Sequence, residues 1–115
     1  MTSSPYLTTE EVAEITSRST RTVQQWCEEG RVRAIRVRSK WRIYCDAFGI
    51  AAPPMPRRPS WRVNEVADWL RISRQSVWRL IQDGELAVVR RWSRLCIERD
   101  SLLAYIQRAM DTEAA

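Results

Sequence analysis

Arginine supplies almost all of the positive charge of this chain. Of the 19 basic residues only Lys40 is a lysine, and the formal net charge is +5 at pH 7. The planar guanidinium group forms paired hydrogen bonds with phosphates and with the edge of guanine. This chemistry indicates a nucleic-acid partner, although a bias in genomic base composition would also enrich arginine.

Residues that perform catalysis or hold structural metals are scarce. The sequence contains no histidine, and its three cysteines, Cys27, Cys45 and Cys96, have no CxxC spacing. A zinc site or a disulfide framework is therefore not expected. Without a histidine base, paired carboxylates or a glycine-rich phosphate loop, we expect no enzyme, no cofactor and no small-molecule ligand.

The same pattern occurs twice in the chain, 54 residues apart, as between Gly30 and Gly84. The segment Ser19-Thr20-Arg21-Thr22-Val23 returns as Ser73-Arg74-Gln75-Ser76-Val77, hydroxyl for hydroxyl and apolar for apolar. A repeat of this kind indicates two copies of one small module.

The repeat divides the chain into a first domain (residues 1–48), a linker (49–59) and a second domain (60–115). Four prolines in the eleven-residue linker predict an extended, semi-stiff connector. Arg57 and Arg58 either contact a phosphate backbone or keep the linker soluble, and the sequence favours neither. The chain shows no secretory signal and no apolar run of membrane length, so we expect a cytoplasmic protein without membrane association.

Each repeat predicts a pair of helices. Ser19 and Ser73 are suitable N-caps for second helices over Thr20–Glu28 and Arg74–Gln82. Glycine residues then end these helices. The residues expected to face the core are, in the first repeat, Val12, Ala13, Ile15, Val23, Trp26 and Cys27, and in the second Val66, Ala67, Trp69, Leu70, Val77, Leu80 and Ile81.

Short alternating segments after each helix pair predict a β-hairpin. They cover Ala34–Val37 with Trp41–Tyr44, and Val88–Arg91 with Leu95–Ile97. A closing helix is predicted over Ser101–Met110, with Leu102, Leu103 and Ile106 inward, whereas the first repeat ends at Asp46-Ala47-Phe48. The fold class is mainly α with small β-hairpin wings (α+β).

This ordered set resembles the winged helix-turn-helix of phage excisionases and MerR-type regulators. The resemblance covers both repeats and implies two tandem winged helix-turn-helix domains that bind double-stranded DNA. In the first repeat it is carried by Leu7-Thr8, Glu11-Val12-Ala13, Ser19, Thr22-Val23, Gly30, Ile35-Arg36-Val37, Trp41-Arg42-Ile43 and Asp46.

The chain departs from the family pattern at a few positions. Thr16 and Arg18 stand where apolar residues are usual, which predicts a poorer core in the first domain. Arg38 and Trp92 stand where each wing usually has glycine, and Cys96 replaces the arginine that the first wing has at the matched position.

In helix-turn-helix proteins the N-terminal part of the second helix enters the major groove. The recognition-helix residues expected to contact DNA are Thr20, Arg21, Thr22, Gln24 and Gln25 in the first domain and Arg74, Gln75, Ser76, Trp78 and Arg79 in the second. The wing residues expected to hold the backbone or minor groove are Arg36, Arg38, Lys40 and Arg42 and, in the second wing, Arg90, Arg91 and Arg94. The alternative for each group is a solvated polar face.

The tryptophans fall into two expected classes. Trp41, Trp61 and Trp69 are expected in the core, whereas Trp78 and Trp92 are expected to be exposed and available to DNA or a protein partner.

Three functions are compatible with this sequence. The protein is a transcriptional regulator, an excisionase that bends DNA and steers an integrase, or an interaction module that inhibits a host factor. The corresponding partners beyond DNA are RNA polymerase or an integrase. Because the linker reaches roughly 34 Å, about one turn of B-DNA, we expect direct half-sites about ten to eleven base pairs apart.

Overall fold

The computed structural model describes residues 4–114 and contains two units of the same design. Module 1 comprises β1 (Tyr6–Leu7), α1 (Thr9–Thr16), α2 (Thr20–Glu28), β2 (Ala34–Val37), β3 (Lys40–Tyr44) and a 3₁₀ turn (Cys45–Phe48). Module 2 comprises β4 (Ser60–Trp61), α3 (Val63–Leu70), α4 (Arg74–Gln82), β5 (Val88–Arg91), β6 (Arg94–Glu98) and α5 (Arg99–Ala114). The expected α+β class with two helix-turn-helix units is confirmed, and no helix among the described residues is long and apolar enough to cross a membrane.

The second helix of each unit begins and ends where the sequence predicts. The Ser19 hydroxyl accepts a hydrogen bond from the Thr22 amide at 3.2 Å, and that of Ser73 accepts one from the Ser76 amide at 3.1 Å. These caps satisfy amides that a helix leaves unpaired at its start. Gly30 follows α2 with a φ of +73°, a left-handed conformation that suits glycine.

Each hairpin is extended to a three-stranded antiparallel sheet, with the orders β1-β3-β2 and β4-β6-β5. The added strands are only two residues long; Tyr6 pairs with Tyr44, and Ser60 pairs with Glu98. Two residues are too few to show an alternating pattern, which is why the sequence does not predict these strands.

Two residues expected in the core are exposed. Ile15 is 51% exposed, whereas Trp69, at the matched position of module 2, is buried and forms an edge-on ring pair with Trp61 at a centroid distance of 5.8 Å. Leu103 is 37% exposed, because α5 turns another face inward, the face that carries Leu102 and Tyr105.

The two modules share a hydrophobic core. Tyr6, Ile35 and Val37 of module 1 are buried in the same cluster as Leu70 and Tyr105 of module 2. Helix α5 contacts β2 of module 1 as well as β6 of its own module. Helix α5 therefore covers the hairpins of both modules. It takes the place of a closing helix in module 1, which ends in a short 3₁₀ turn.

The remaining core of module 1 is small. Val12, Val23, Cys27, Trp41 and Ile43 form a separate cluster, which includes the expected core positions of Cys27 and Trp41. The smaller cluster agrees with the poorer first core that the sequence predicts. Module 1 therefore depends on module 2 for much of its apolar burial.

Arg42 joins β3 of module 1 to the end of helix α3. Its guanidinium group donates to the backbone carbonyl of Leu70 at 3.0 Å, to that of Arg71 at 2.6 Å and to that of Trp41 at 2.8 Å. The carbonyls at a helix C-terminus have no partner within the helix, and a cation there is also favoured by the helix dipole. Arg42 thus caps a helix of the other module.

Two ion pairs flank this contact. Arg71, which ends α3 in a left-handed conformation, pairs with Glu11 in α1. At the tip of the first hairpin, Arg38 pairs with Asp83 at 3.2 Å, at the C-terminal end of α4.

The linker has no helix or strand, and its second half lies against module 2. Met55 packs on the shared core, and Arg99 donates to the Pro56 carbonyl at 3.0 Å. Arg58 pairs with Glu65 and lies over the Trp61 ring, 5.6 Å from its centroid. The relative placement of the modules is therefore set by packing and not by the reach of the linker.

We expect Arg42→Lys and Arg42→Ala to lower the free energy of unfolding by about 1–3 kcal/mol, because buried carbonyls lose their donors. Lysine should not restore stability, since an ammonium group lacks the guanidinium fork. Arg94→Ala, at an exposed position on the second wing, is the control. Urea unfolding checks this, and an Arg42→Lys variant as stable as Arg94→Ala would contradict it.

The Glu11–Arg71 pair should make stability depend on acidity. Partial burial opposes ionisation of Glu11, but hydrogen bonds from Thr8 and Arg71 and the charge of Arg71 outweigh it, so the pKa of Glu11 lies below its usual value of 4.5. A carboxyl with a lowered folded-state pKa stabilises the fold above its unfolded pKa, and this is lost as pH falls through the folded pKa.

We therefore expect Glu11→Gln to destabilise the protein by a constant amount above about pH 5. The difference from the parent should shrink steadily as pH falls below 4.5. Glutamine can still complete the capping box with Thr8, so the change tests the charge. Glu14→Gln on the exposed side of α1 is the control, and a Glu11→Gln difference that does not vary with pH would refute the assignment.

Candidate nucleic-acid interface

The side chains expected on the recognition helices lie at the surface. Those that are exposed are Thr20, Arg21, Gln24, Gln25, Arg74, Gln75, Trp78 and Arg79. Thr22 and Ser76 are half-buried, and each shares a hydrogen bond with the capping serine of its helix, at 2.9 Å and 3.0 Å. These two hydroxyls are therefore part of the caps as well as of the candidate surface.

A basic cleft separates recognition helix α4 from the second hairpin, wing 2 (Val88–Glu98). It is lined by Arg62, Val63, Asn64, Arg74, Trp78, Arg90, Ser93, Arg94 and Leu95. Arg74 is oriented by a 3.1 Å hydrogen bond to the Asn64 side chain. Four guanidinium groups and no carboxylate face this cleft, so it suits a polyanion.

The matching surface of module 1 is less basic. Thr8, Glu10 and Thr20 stand where module 2 has Arg62, Asn64 and Arg74. A hydrogen bond from its own backbone amide, at the start of α1, holds the pKa of Glu10 below its usual value, so this carboxylate is charged at neutral pH. The candidate DNA-binding surfaces of the two modules therefore differ in charge.

The first hairpin, wing 1 (Ala34–Tyr44), differs from its expected role. Arg42 is buried and bound to the carbonyls of α3, so the expectation that it contacts DNA is corrected. The Arg38 guanidinium group is engaged by Asp83. Lys40 is exposed, and Arg36 is exposed with its guanidinium group 4.4 Å from the centroid of the Trp41 ring.

Wing 2 keeps its basic side chains at the surface. Arg90, Arg91 and Arg94 are exposed, and within residues 4–114 they form no ion pair and no hydrogen bond through their side chains. Unpaired guanidinium groups retain their full capacity to bind phosphate oxygens. Wing 2 is thus the part of the described chain best suited to hold a phosphate backbone.

The tryptophans divide as the sequence predicts. Trp41, Trp61 and Trp69 are buried, whereas Trp78 is 40% exposed and Trp92 is 95% exposed. Trp78 lines the basic cleft, and Trp92 stands at the turn of wing 2.

Sequence reasoning missed Arg62 and Asn64 at the start of α3. Both line the cleft, although α3 is not the recognition helix. The signal was present in the repeat, because a basic and an amide residue replace Thr8 and Glu10 at matched positions.

The model of the helix-turn-helix domain family matches this chain twice, over residues 6–48 and 62–110. No curated protein and no solved structure matches it. Both matched segments contain one complete helix pair with its hairpin, and together they cover most of the chain. The chain therefore belongs to the helix-turn-helix domain family and is a DNA-binding protein with two such units in tandem.

Proposed function

We propose that this protein is a transcriptional regulator that recognises a specific double-stranded DNA sequence through two adjacent direct half-sites. The observation that carries the proposal is the basic cleft of module 2, in which Arg74, Arg90 and Arg94 face one another across a groove beside an exposed recognition helix. A phosphate strand held by Arg90 and Arg94 on the wing side of this cleft would place Arg74 and the N-terminal half of α4 in the major groove.

The proposed roles of the side chains follow from their chemistry. Arg74 and Gln75 on α4, and Arg21 and Gln24 on α2, read base edges, because arginine pairs with guanine and glutamine with adenine. Backbone contacts, which carry no sequence information directly, come from Arg90, Arg91 and Arg94 and from Arg36 and Lys40.

The way the modules dock supports direct half-sites over inverted ones. In a twofold arrangement the same contacts would occur in both directions. Here Arg42 of wing 1 caps α3, but Cys96, at the matched position of wing 2, makes no hydrogen bond to α1 among the described residues. Contacts of this one-directional kind relate the modules head to tail.

The difference in charge between the modules supports unequal half-sites. Module 2 has four arginines in its cleft, and the arginines of its wing form no ion pairs among the described residues. In module 1 the wing docks on module 2, and the negatively charged Glu10 stands where module 2 has Asn64 of the cleft. We therefore assign most of the affinity to module 2 and a smaller, specificity-refining share to module 1.

An excisionase is the second candidate. Modules held at one angle by shared packing would impose one path on bound DNA, as a protein that bends DNA for an integrase requires. A regulator would change the rate of transcription by RNA polymerase from a promoter that contains its site. An excisionase would instead change the direction of recombination when the cognate integrase is added. The unpaired arginines of wing 2 argue against an interaction module that has lost DNA binding.

The charge of Glu10 gives a test of the proposed asymmetry. Glu10→Asn, which installs the residue of module 2, should raise DNA affinity several-fold because a carboxylate near the phosphates is removed. Glu14→Gln on the same helix is the control, since its matched position, Asp68, does not line the cleft. Titration of a labelled duplex measures both, and equal affinities for the two variants would contradict the asymmetry.

Base reading should be separable from backbone binding. Arg74→Ala should reduce the binding free energy by about 1–3 kcal/mol and relax the base preference in one half-site. Arg90→Ala should weaken binding to all sequences and reduce the slope of log affinity against log salt concentration by about 1. Selection from a random DNA pool and salt titrations measure the two effects. An unchanged selected sequence for Arg74→Ala would show that α4 does not read bases.

Packing between the modules should make the site intolerant of changed spacing. Insertion of five base pairs between the half-sites turns them to opposite faces of the duplex. Insertion of ten base pairs restores the face but adds about 34 Å, and docked modules cannot follow this. Both insertions should reduce affinity to that of one half-site, and recovery with ten base pairs would indicate modules that move independently.

A further inference from the structure

The tip of wing 2 holds a tryptophan in a conformation that disfavours it. Arg91 pairs with Arg94, so Trp92 and Ser93 form a two-residue turn, with φ values of 52° and 64°. Such turns favour glycine and asparagine, because a large side chain in the left-handed region crowds its own backbone. Trp92 therefore strains the hairpin that it closes.

Nothing within residues 4–114 compensates for this strain. The Trp92 side chain is 95% exposed, and it takes part in no ring stacking and no cation–π contact with the described residues. A strained residue with an unused side chain points to a role outside the fold.

The matched turn of wing 1 shows that this position suits a contact. Arg38 stands there, also with a positive φ, and reaches across to Asp83 of module 2. The same geometry in wing 2 carries an indole ring out into solvent, where it meets no protein surface of the described chain.

The positive charges around Trp92 favour DNA as its partner. Arg90, Arg91 and Arg94 are exposed beside it, and two of them, Arg90 and Arg94, also line the cleft next to α4. A duplex held by this cleft would bring its phosphates to the arginines and its neighbouring minor groove to the tip of the wing. Apolar side chains inserted into a minor groove unstack a base step and kink the duplex.

Resting on the proposed function, we propose that Trp92 is a minor-groove wedge. Its indole ring enters the minor groove beside the half-site of module 2, and the flanking arginines bind the phosphates on both sides. One base step is partly unstacked there, and the duplex bends at that end of the site.

The test compares Trp92→Gly and Trp92→Phe with the parent chain on the duplex that the parent selects from a random pool. A 2-aminopurine base placed at successive steps beside the module 2 half-site reports unstacking through increased fluorescence. Energy transfer between dyes at the duplex ends reports the bend. Thermal unfolding of each variant in the absence of DNA reports the stability of the hairpin.

For the parent we expect a fluorescence increase at one step and a bent duplex. Trp92→Phe should keep part of both signals, since a smaller ring can still wedge. Trp92→Gly should lose both signals and bind roughly tenfold more weakly, as for loss of a stacked aromatic ring. Its unfolding temperature should be equal to or above that of the parent, because glycine relieves the strained turn.

Several results would overturn the proposal. They are unchanged fluorescence and bend with Trp92→Gly, a loss of affinity without any unstacking in the parent complex, or a lower unfolding temperature for Trp92→Gly. Failure of the parent to select any duplex would instead remove the proposed function, so the two failures are distinguishable.

Discussion

An arginine buried at a helix end, together with the hydrophobic core around it, fixes how the two modules pack against each other. Arg42 occupies a wing position whose side chain would face solvent in an isolated module, yet here it binds the last carbonyls of α3. Burial lowers its pKa, and Arg71 lowers it further, while Glu10 and Glu11 act in the opposite direction. A buried cation without partners would be costly. Because the carbonyls that bind Arg42 belong largely to α3, wing 1 must pack against module 2 to provide these partners.

This contact gives the two wings different roles, although the two modules have the same sequence pattern. Wing 1 becomes a docking element, and the shared core that forms behind it includes Ile35 and Val37. Wing 2 has no equivalent use within the described chain, and its arginines and Trp92 stay exposed. The wing of module 1 thus serves to dock the two modules together, whereas module 2 keeps the more basic exposed surface.

Much of the fold could be predicted from the sequence because its signals are local. The serine caps, the terminating glycines and the alternating hairpins each depend on a few neighbouring residues, and α2 and α4 have the predicted bounds. The docking of the modules could not be predicted in this way. An exposed wing arginine and a buried one have the same sequence pattern, and the carbonyls of Leu70 and Arg71 that bind Arg42 lie 28 and 29 residues away.

The candidate site was predicted unevenly for the same reason. The recognition helices and wing 2 are exposed as expected, since polar helix faces and basic turns are local features. Arg62 and Asn64 were missed because they complete the cleft only when the start of α3 is placed beside α4. Ile15 and Leu103 were misplaced because their exposure depends on which neighbouring element covers them.

The two modules form one packed unit through Arg42 and the shared core. Residual dipolar couplings of backbone amides in the weakly aligned full chain test it most directly. We predict that one alignment tensor fits the amides of both modules. Two different tensors in the parent chain would show that the modules move independently and do not form one packed unit.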